Sequence, residues 1–289
     1  MMYWGFDIGG TKIAAGIVKN NKIIKKLVIV HHLKRGRKYF DKTLNTIIDD
    51  LLVFGKPKGV GIGVKGIVSQ KEKTIKSEVL KGINIVALIK KKVGNVKIKI
   101  DNDASTFTLY ESVFGKAKKE NYVFGLTLGT GIGTGFTIDN KIYRDRGYVL
   151  ELGHMIIQVD GRKLNGRQGT LEIYSSGSGI EDAYLKRYKK RKKSRQIFAD
   201  ARNKSSKDCA IVKEGAEYLG IGLVNIINIF HPDCIVIGGG LSENKWYIEL
   251  AKKEIKKRIK HISLGTKVII TSNQLNSAII GPTLLLTHG

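Results

Sequence analysis

Two glycine-rich stretches, Asp7-Ile8-Gly9-Gly10-Thr11-Lys12 and Gly129-Thr130-Gly131-Ile132-Gly133-Thr134-Gly135, hold unhindered backbone N–H groups that could approach a phosphate. The first adds a carboxylate, Asp7, of the kind that suits a magnesium ion or its water shell. It also adds Lys12, which could reach a terminal phosphate, although a solvated lysine is an equal reading in so lysine-rich a chain. Thr127 stands at the counterpart of Asp7, so the acid occurs in one stretch and not in the other.

Both stretches belong to a repeat. WGFDIGGTKIAAGIVKNNKI, from Trp4, returns as FGLTLGTGIGTGFTIDNKI, from Phe124, at an offset of 120 residues from Gly5 to Gly125 and 119 from Asn21 to Asn140. Each copy predicts a strand (3–8; 122–128), a glycine bend, a second strand (13–18; 135–138) and an Asn-Asn or Asp-Asn turn into a third. Two ordinary hairpins would leave the agreement of bend, turn pair and following Lys-Ile unexplained. Neither copy has GxGxxG opening a helix, and GxxxxGK[ST] occurs nowhere, so a Rossmann site and a P-loop are both unsupported. The expectation is a nucleotide clamped between two phosphate hairpins, one from each half.

The elements that must position these bends alternate between helix and strand, which argues for α/β layers. Apolar spacing predicts a helix over 39–54, a buried strand at GVGIGV (59–64) and a strand at 95–100 that delivers the chain to Asp101-Asn102-Asp103 at a helix start. Farther on come a long helix ending at His231-Pro232, the strand CIVIGGG (234–240), a helix over 244–259 and a strand over 266–270. Pro282 is expected to limit where the final helix begins.

Of the 289 residues 42% are hydrophobic, enough for a sizeable core, and no apolar run approaches the roughly 18 residues of a membrane span. Asp7 interrupts the one apolar stretch near the start, so no secretory signal is read and a cytoplasmic chain is expected. Cys209 and Cys234 form no disulfide framework and no metal-ligand spacing. The net charge of +26 raises nucleic acid as a partner, but lysines are scattered over nearly every segment. The exception is KRYKKRKKSR (186–195), with eight basic residues of ten, read as a solvated helix end or loop rather than a binding site.

DIGGTK, NDA (102–104), GTGIGTG, ELGH (151–154), GRQGTLE (166–172) and HPDCIVIGGGLS (231–242), in this order and over almost the whole chain, resemble the ROK sugar kinases (repressors, open reading frames and kinases). The resemblance implies a duplicated actin-like ATPase fold of hexokinase type. Its two domains, 1–104 with about 276–289 and then 105–275, would stand around a cleft. It implies ATP and Mg2+ as cofactors, Asp7 serving the magnesium, and phosphate contacts from Gly9, Gly10, Thr11, Lys12, Gly129, Thr130, Gly131 and Gly133. Gly238, Gly239 and Gly240 resemble the loop that passes the adenosine. Asp103 is the expected general base, at a helix N-terminus whose dipole favours the ionised form; a cap of that helix is the plain alternative. Gly66, Asn102, Glu151, His154 and Glu172 are the implied sugar-binding residues.

The chain departs from the family pattern at Lys163, Asn165 and Thr170, where zinc-binding cysteines are usual, so no zinc is expected. Lys65 replaces a usual proline and Ser105 a usual asparagine, both of which bear on sugar choice. The expected activity is phosphorylation of the 6-hydroxyl of a hexose, glucose first, with N-acetylglucosamine or N-acetylmannosamine as the alternative. The first hairpin begins at Tyr3, which is read as leaving no room for the helix-turn-helix of ROK regulators. A non-catalytic sugar- or nucleic-acid-binding regulator is the remaining class, and a homodimer is implied by resemblance alone.

Overall fold

A computed structural model describes residues 1–30, 36–69, 74–77, 80–81, 83–144, 150–203, 206–259, 265–270 and 274–288. In chain order the elements are β1 (Met2–Ile8), β2 (Lys12–Lys19), β3 (Lys22–Val30), α1 (Arg37–Leu52), β4 (Gly59–Val64), β5 (Ile67–Ser69), β6 (Thr74–Lys76), α2 (Ile85–Val93), β7 (Lys97–Asn102) and α3 (Asp103–Val113). There follow β8 (Tyr122–Leu128), β9 (Ile132–Ile138), β10 (Lys141–Ile142), β11 (Lys163–Leu164), β12 (Arg167–Gln168), α4 (Leu171–Ser175), α5 (Gly177–Tyr188), α6 (Ser194–Arg202) and α7 (Ser206–Phe230). The last are β13 (Cys234–Gly238), α8 (Lys245–Arg258), β14 (Lys267–Ile270) and α9 (Gln274–His288). Among the described residues no helix is long and apolar enough to cross a membrane.

The repeat read in the sequence is a repeat of topology. One five-stranded sheet has the order β3-β2-β1-β4-β7 and the other β10-β9-β8-β13-β14, so each is an antiparallel meander extended by two parallel strands. The turn pairs agree as well: Asn20 and Asn21 have φ of 50° and 59°, Asp139 and Asn140 50° and 61°. Two consecutive left-handed residues make the tight hairpin whose twist matches the flanking strands. Strand β9 starts three residues earlier than expected, which puts Gly133 in the strand and not in the bend.

The described residues divide into two compact units: residues 1–121, 135–150 and 273–289, and residues 122–134 and 151–272. The sequence reading broke the first at 104. Helix α3 falls in this unit with α9, whose Gly281 lies so close to α3 that a Cβ there would sit 2.4 Å from the Thr106 carbonyl oxygen.

In the first unit the sheet has an apolar face and a glycine face. Trp4, Phe6, Ile8, Val60, Ile62 and Val64 pack with Phe40, Leu44, Ile47, Ile48 and Leu51 of α1 and with Ile85 and Ile89 of α2. The alternate residues Gly5, Gly16 and Gly61 lie under α9, and a Cβ at Gly5 or Gly61 would stand 1.8 Å from the Ile279 carbonyl oxygen or 1.9 Å from that of Pro282. Helix α9 therefore rests backbone on backbone against the sheet, and it runs through Pro282 instead of beginning there. Burial of Ile279, Ile280, Leu284 and Leu285 outweighs the missing N–H.

Gly61→Ala should accordingly lower stability by at least about 2 kcal/mol in denaturant unfolding, the range of an overpacked core. Gly10→Ala, where a Cβ meets nothing within 4 Å, should leave it unchanged.

Candidate functional site

In the first unit the chemistry gathers at the carboxyl ends of β1, β4 and β7. Asp7 pairs in register with Gly63, and Val64 with Asn102. Gly63 lets α3 approach: a Cβ there would be 3.6 Å from the Asp103 Cα and 2.8 Å from Thr106 Oγ1. Asn102 is the residue that caps α3, its Oδ1 accepting from the Ala104 N–H at 2.9 Å and the Ser105 N–H at 3.2 Å. Its Nδ2 donates to the Gly66 carbonyl at 2.8 Å. Gly66 itself has φ of 138° and no room for a Cβ, which would lie 2.6 Å from the Lys76 carbonyl. The capping alternative for Asp103 thus falls to its neighbour, and Asp103 is the first residue inside the helix, with Oδ1 accepting from the Ala104 N–H at 2.9 Å.

Burial pushes the Asp103 carboxyl above its ordinary range, against the Ala104 N–H and the Lys65 ammonium, which lower it. Asp7 is pushed up to about 7, chiefly by burial and then by the Asp103 charge, with Lys12 opposing. Ser105 is fully buried under β9, where a Cβ on Gly135 would come within 2.9 Å of the Ser105 Cα, so the departure from asparagine sits in the packing and not at an open face.

Glycines separate into two groups. Gly131 makes room for Glu172, whose Oε2 would be 2.4 Å from a Cβ, and Gly239, at φ of 88°, is pressed against the Leu128 backbone. At Gly10, Gly129 and Gly240 a Cβ would meet nothing within 4 Å, and φ lies outside the left-handed range. Neither crowding nor backbone conformation calls for glycine at these three positions.

In the second unit the glycine bend closes with Gly129 N–H donating to the Gly131 carbonyl at 3.0 Å. The start of α5 pins it. The Gly177 N–H donates to the Gly129 carbonyl at 2.8 Å, and both the N–H (3.0 Å) and the Oγ (2.7 Å) of Ser178 donate to the Thr130 carbonyl. Ser176 caps that helix at the Gly179 N–H. Neither serine was singled out in the sequence, where isolated serines carry no signal.

Glu151, His154 and Glu172 come together around the first residue of β9. Glu172 Oε2 accepts from the Ile132 N–H at 2.8 Å, and Gly153 lies against Ile132, its Cβ position 2.5 Å from the carbonyl oxygen. His154 Nδ1 is 3.8 Å from Glu151 Oε2. Burial, then Arg167, lowers the His154 pKa against Glu172, so the ring is neutral at pH 7.

The stretch lacking cysteines is a hairpin of β11 and β12, closed by Asn165 and Gly166 at φ of 51° and 75°. Arg162 anchors it, with its N–H on the Tyr174 hydroxyl at 2.8 Å, its guanidinium over the Tyr174 ring at 4.3 Å, and Nη1 on the Gly179 carbonyl at 3.2 Å. Among the described residues no group of three or more His, Cys, Asp or Glu is placed to hold a metal.

Half of the basic run is paired within the unit. Lys186 bonds Asp182 at 3.0 Å and Arg187 bonds Glu214 at 2.6 Å. Lys192 lies between Asp200 (2.7 Å) and the buried Asp208 (2.6 Å), and Lys193 reaches Glu181 at 3.1 Å. Four of its eight cations are thereby engaged in ion pairs among α5, α6 and α7.

The elevated Asp7 gives a pH signature. The folded protein keeps this proton up to about pH 7 while the unfolded chain releases it near 3.8. The stabilising contribution of the protonated carboxyl is therefore complete below about pH 4 and lost as pH rises to about 7. Asp7→Asn should melt at a higher temperature than the parent at pH 8 without metal or nucleotide, and at nearly the same temperature at pH 4. An unchanged difference across this range would contradict the assignment.

The ROK family model matches residues 3–288. The N-acetyl-D-glucosamine kinase of Vibrio cholerae is 30% identical over 93% of this chain and 94% of its own length. Among solved structures, the ROK hexokinase of Thermus thermophilus superposes with a TM-score of 0.86 at 25% identity, covering 99% of this chain and 98% of the other. The ROK glucokinase of Streptomyces griseus, solved with glucose and AMPPNP, gives 0.81 at 23% identity, with 98% of each covered. The two sheets of like order are the halves of a duplicated actin-like ATPase fold, and the chain belongs to the ROK family.

Proposed function

We propose that this protein is an ATP-dependent sugar kinase that phosphorylates the 6-hydroxyl of N-acetylglucosamine. One observation carries the catalytic part: Asn102 does the capping, so the Asp103 carboxylate, which accepts from the adjacent Ala104 N–H, is not the cap of the helix, and it stands at a strand-to-helix junction with its proton affinity raised by burial. A base works best with a pKa near the working pH. Asp103 takes the hydroxyl proton as the sugar oxygen attacks the γ-phosphorus, and the bond to the bridging oxygen breaks to release ADP.

Asp7 would hold magnesium directly or through water; a lone carboxylate with phosphate and water completing the shell suits this ion, which when bound offsets phosphate charge. Gly9, Gly10, Thr11 and Lys12 serve the phosphates, as do Gly129, Thr130, Gly131 and Gly133, the last from within β9. Gly238 to Gly240 pass the adenosine. Neutral His154, with Glu151, Glu172, Gly66 and the remaining Nδ2 hydrogen of Asn102, recognises sugar hydroxyls, each of which is costly to leave unpaired in a closed site. The protein works as a cytoplasmic homodimer in this reading.

The relative's name moves the substrate from glucose, the first expectation, to N-acetylglucosamine, which stood as the alternative. A coupled assay with ATP and Mg2+ across N-acetylglucosamine, N-acetylmannosamine, glucose, mannose and fructose should give the highest kcat/KM for N-acetylglucosamine. Glucose ranking first would restore the earlier reading, and phosphorylation of none of them would refute a hexose kinase.

A further inference from the structure

Strand β7 ends the first sheet, with β4 on one side and, among the described residues, no strand on the other. Its last two residues nevertheless have to deliver Asn102 and Asp103 accurately. Asp101, with no exposed surface, uses Oδ1 to accept the Asn102 N–H at 2.7 Å. Its Oδ2 is bonded by Nη2 of Arg144, which follows β10 and is itself mostly buried. Nη1 of the same guanidinium reaches back to the Ile142 carbonyl at 3.5 Å. Arg144 thus grips the Asp101 side chain, which in turn holds the N–H of Asn102, the last residue of β7 before α3 begins.

We propose that Arg144 is a positioning residue for phosphoryl transfer: through Asp101 it fixes the β7–α3 junction and so the placement of the Asp103 carboxylate. The proposal rests on the sugar-kinase reading. A buried carboxylate stripped of its cation is strongly unfavourable, so part of any effect of removing Arg144 is a loss of stability. The positioning role predicts something further, because a base displaced by about 1 Å can cost about a hundredfold in rate while nucleotide binding is untouched.

The test uses the full-length chain with ATP, Mg2+ and the sugar that the wild type phosphorylates best. Arg144→Met should lower kcat at least about tenfold per folded molecule, with KM for ATP within about twofold, as expected for a displaced group. Arg144→Lys, which keeps the charge, should recover a large part of kcat. The double variant Asp101→Asn with Arg144→Met removes the unpaired buried charge and should melt close to the parent, yet remain slow. It also serves where the single variant does not fold. Parental kcat in the well-folded double variant, or equal losses in stability and activity that disappear together, would overturn the proposal. A wild type that phosphorylates no sugar would instead refute the kinase reading, so the two failures are distinguishable.

Discussion

The amide of Asn102 joins the two loops on which the first unit's candidate site depends. One end caps α3 with two accepted N–H groups, and the other holds the Gly66 carbonyl after β4. A side-chain cap is worth about 1 kcal/mol and a further net hydrogen bond a similar amount. The larger consequence is geometric: with the cap supplied one residue earlier, the carboxylate of Asp103 is not the cap of the helix in whose first turn it sits, and it accepts from the adjacent Ala104 N–H. Asp7 arrives beside this junction because its strand pairs with Gly63, which tolerates no side chain against α3. Burial raises the proton affinity of both acids, the Asp103 charge raises that of Asp7 further, and Lys12 at Asp7 and the Ala104 N–H and Lys65 at Asp103 limit the rise.

Glycine does two unrelated jobs in this chain. At Gly5, Gly16 and Gly61 it lets α9 lie directly on the sheet, and at Gly131 and Gly239 it makes room for a side chain or a neighbouring strand. At Gly10, Gly129 and Gly240 nothing within the protein requires it. A sequence motif mixes both kinds, so the phosphate reading of GTGIGTG covers one glycine with no structural task, one that seats Glu172 and one inside β9.

The duplication was legible because two turn pairs and two glycine bends recur at nearly one offset, and strand or helix periodicity located β1, β4, β8, α1 and β13 within two or three residues, and the end of α7. What stayed hidden depends on three-dimensional neighbours. The start of α9 was misjudged because a proline's local cost says nothing of the sheet beneath it. The hairpin at Lys163–Gln168 has its turn signal in Asn165-Gly166, but its strands are two residues each, too short for an alternating pattern. Arg144 and Asp101 are 43 residues apart and share no pattern. The roles of Ser176 and Ser178 exist only because α5 starts beside the second glycine bend. The elevated proton affinity of Asp103 reflects burial, which a helix-start motif does not encode.

The central claim is that Asp103 accepts the sugar hydroxyl proton, and Asp103→Asn tests it most directly. Asparagine keeps the shape and can still accept the Ala104 N–H through Oδ1, so the fold and sugar binding should persist. Turnover measured at saturating ATP, Mg2+ and sugar should fall by at least about a hundredfold, the scale of a lost general base, with sugar affinity nearly unchanged. A variant that binds sugar normally and keeps a tenth or more of the parental turnover would contradict the account.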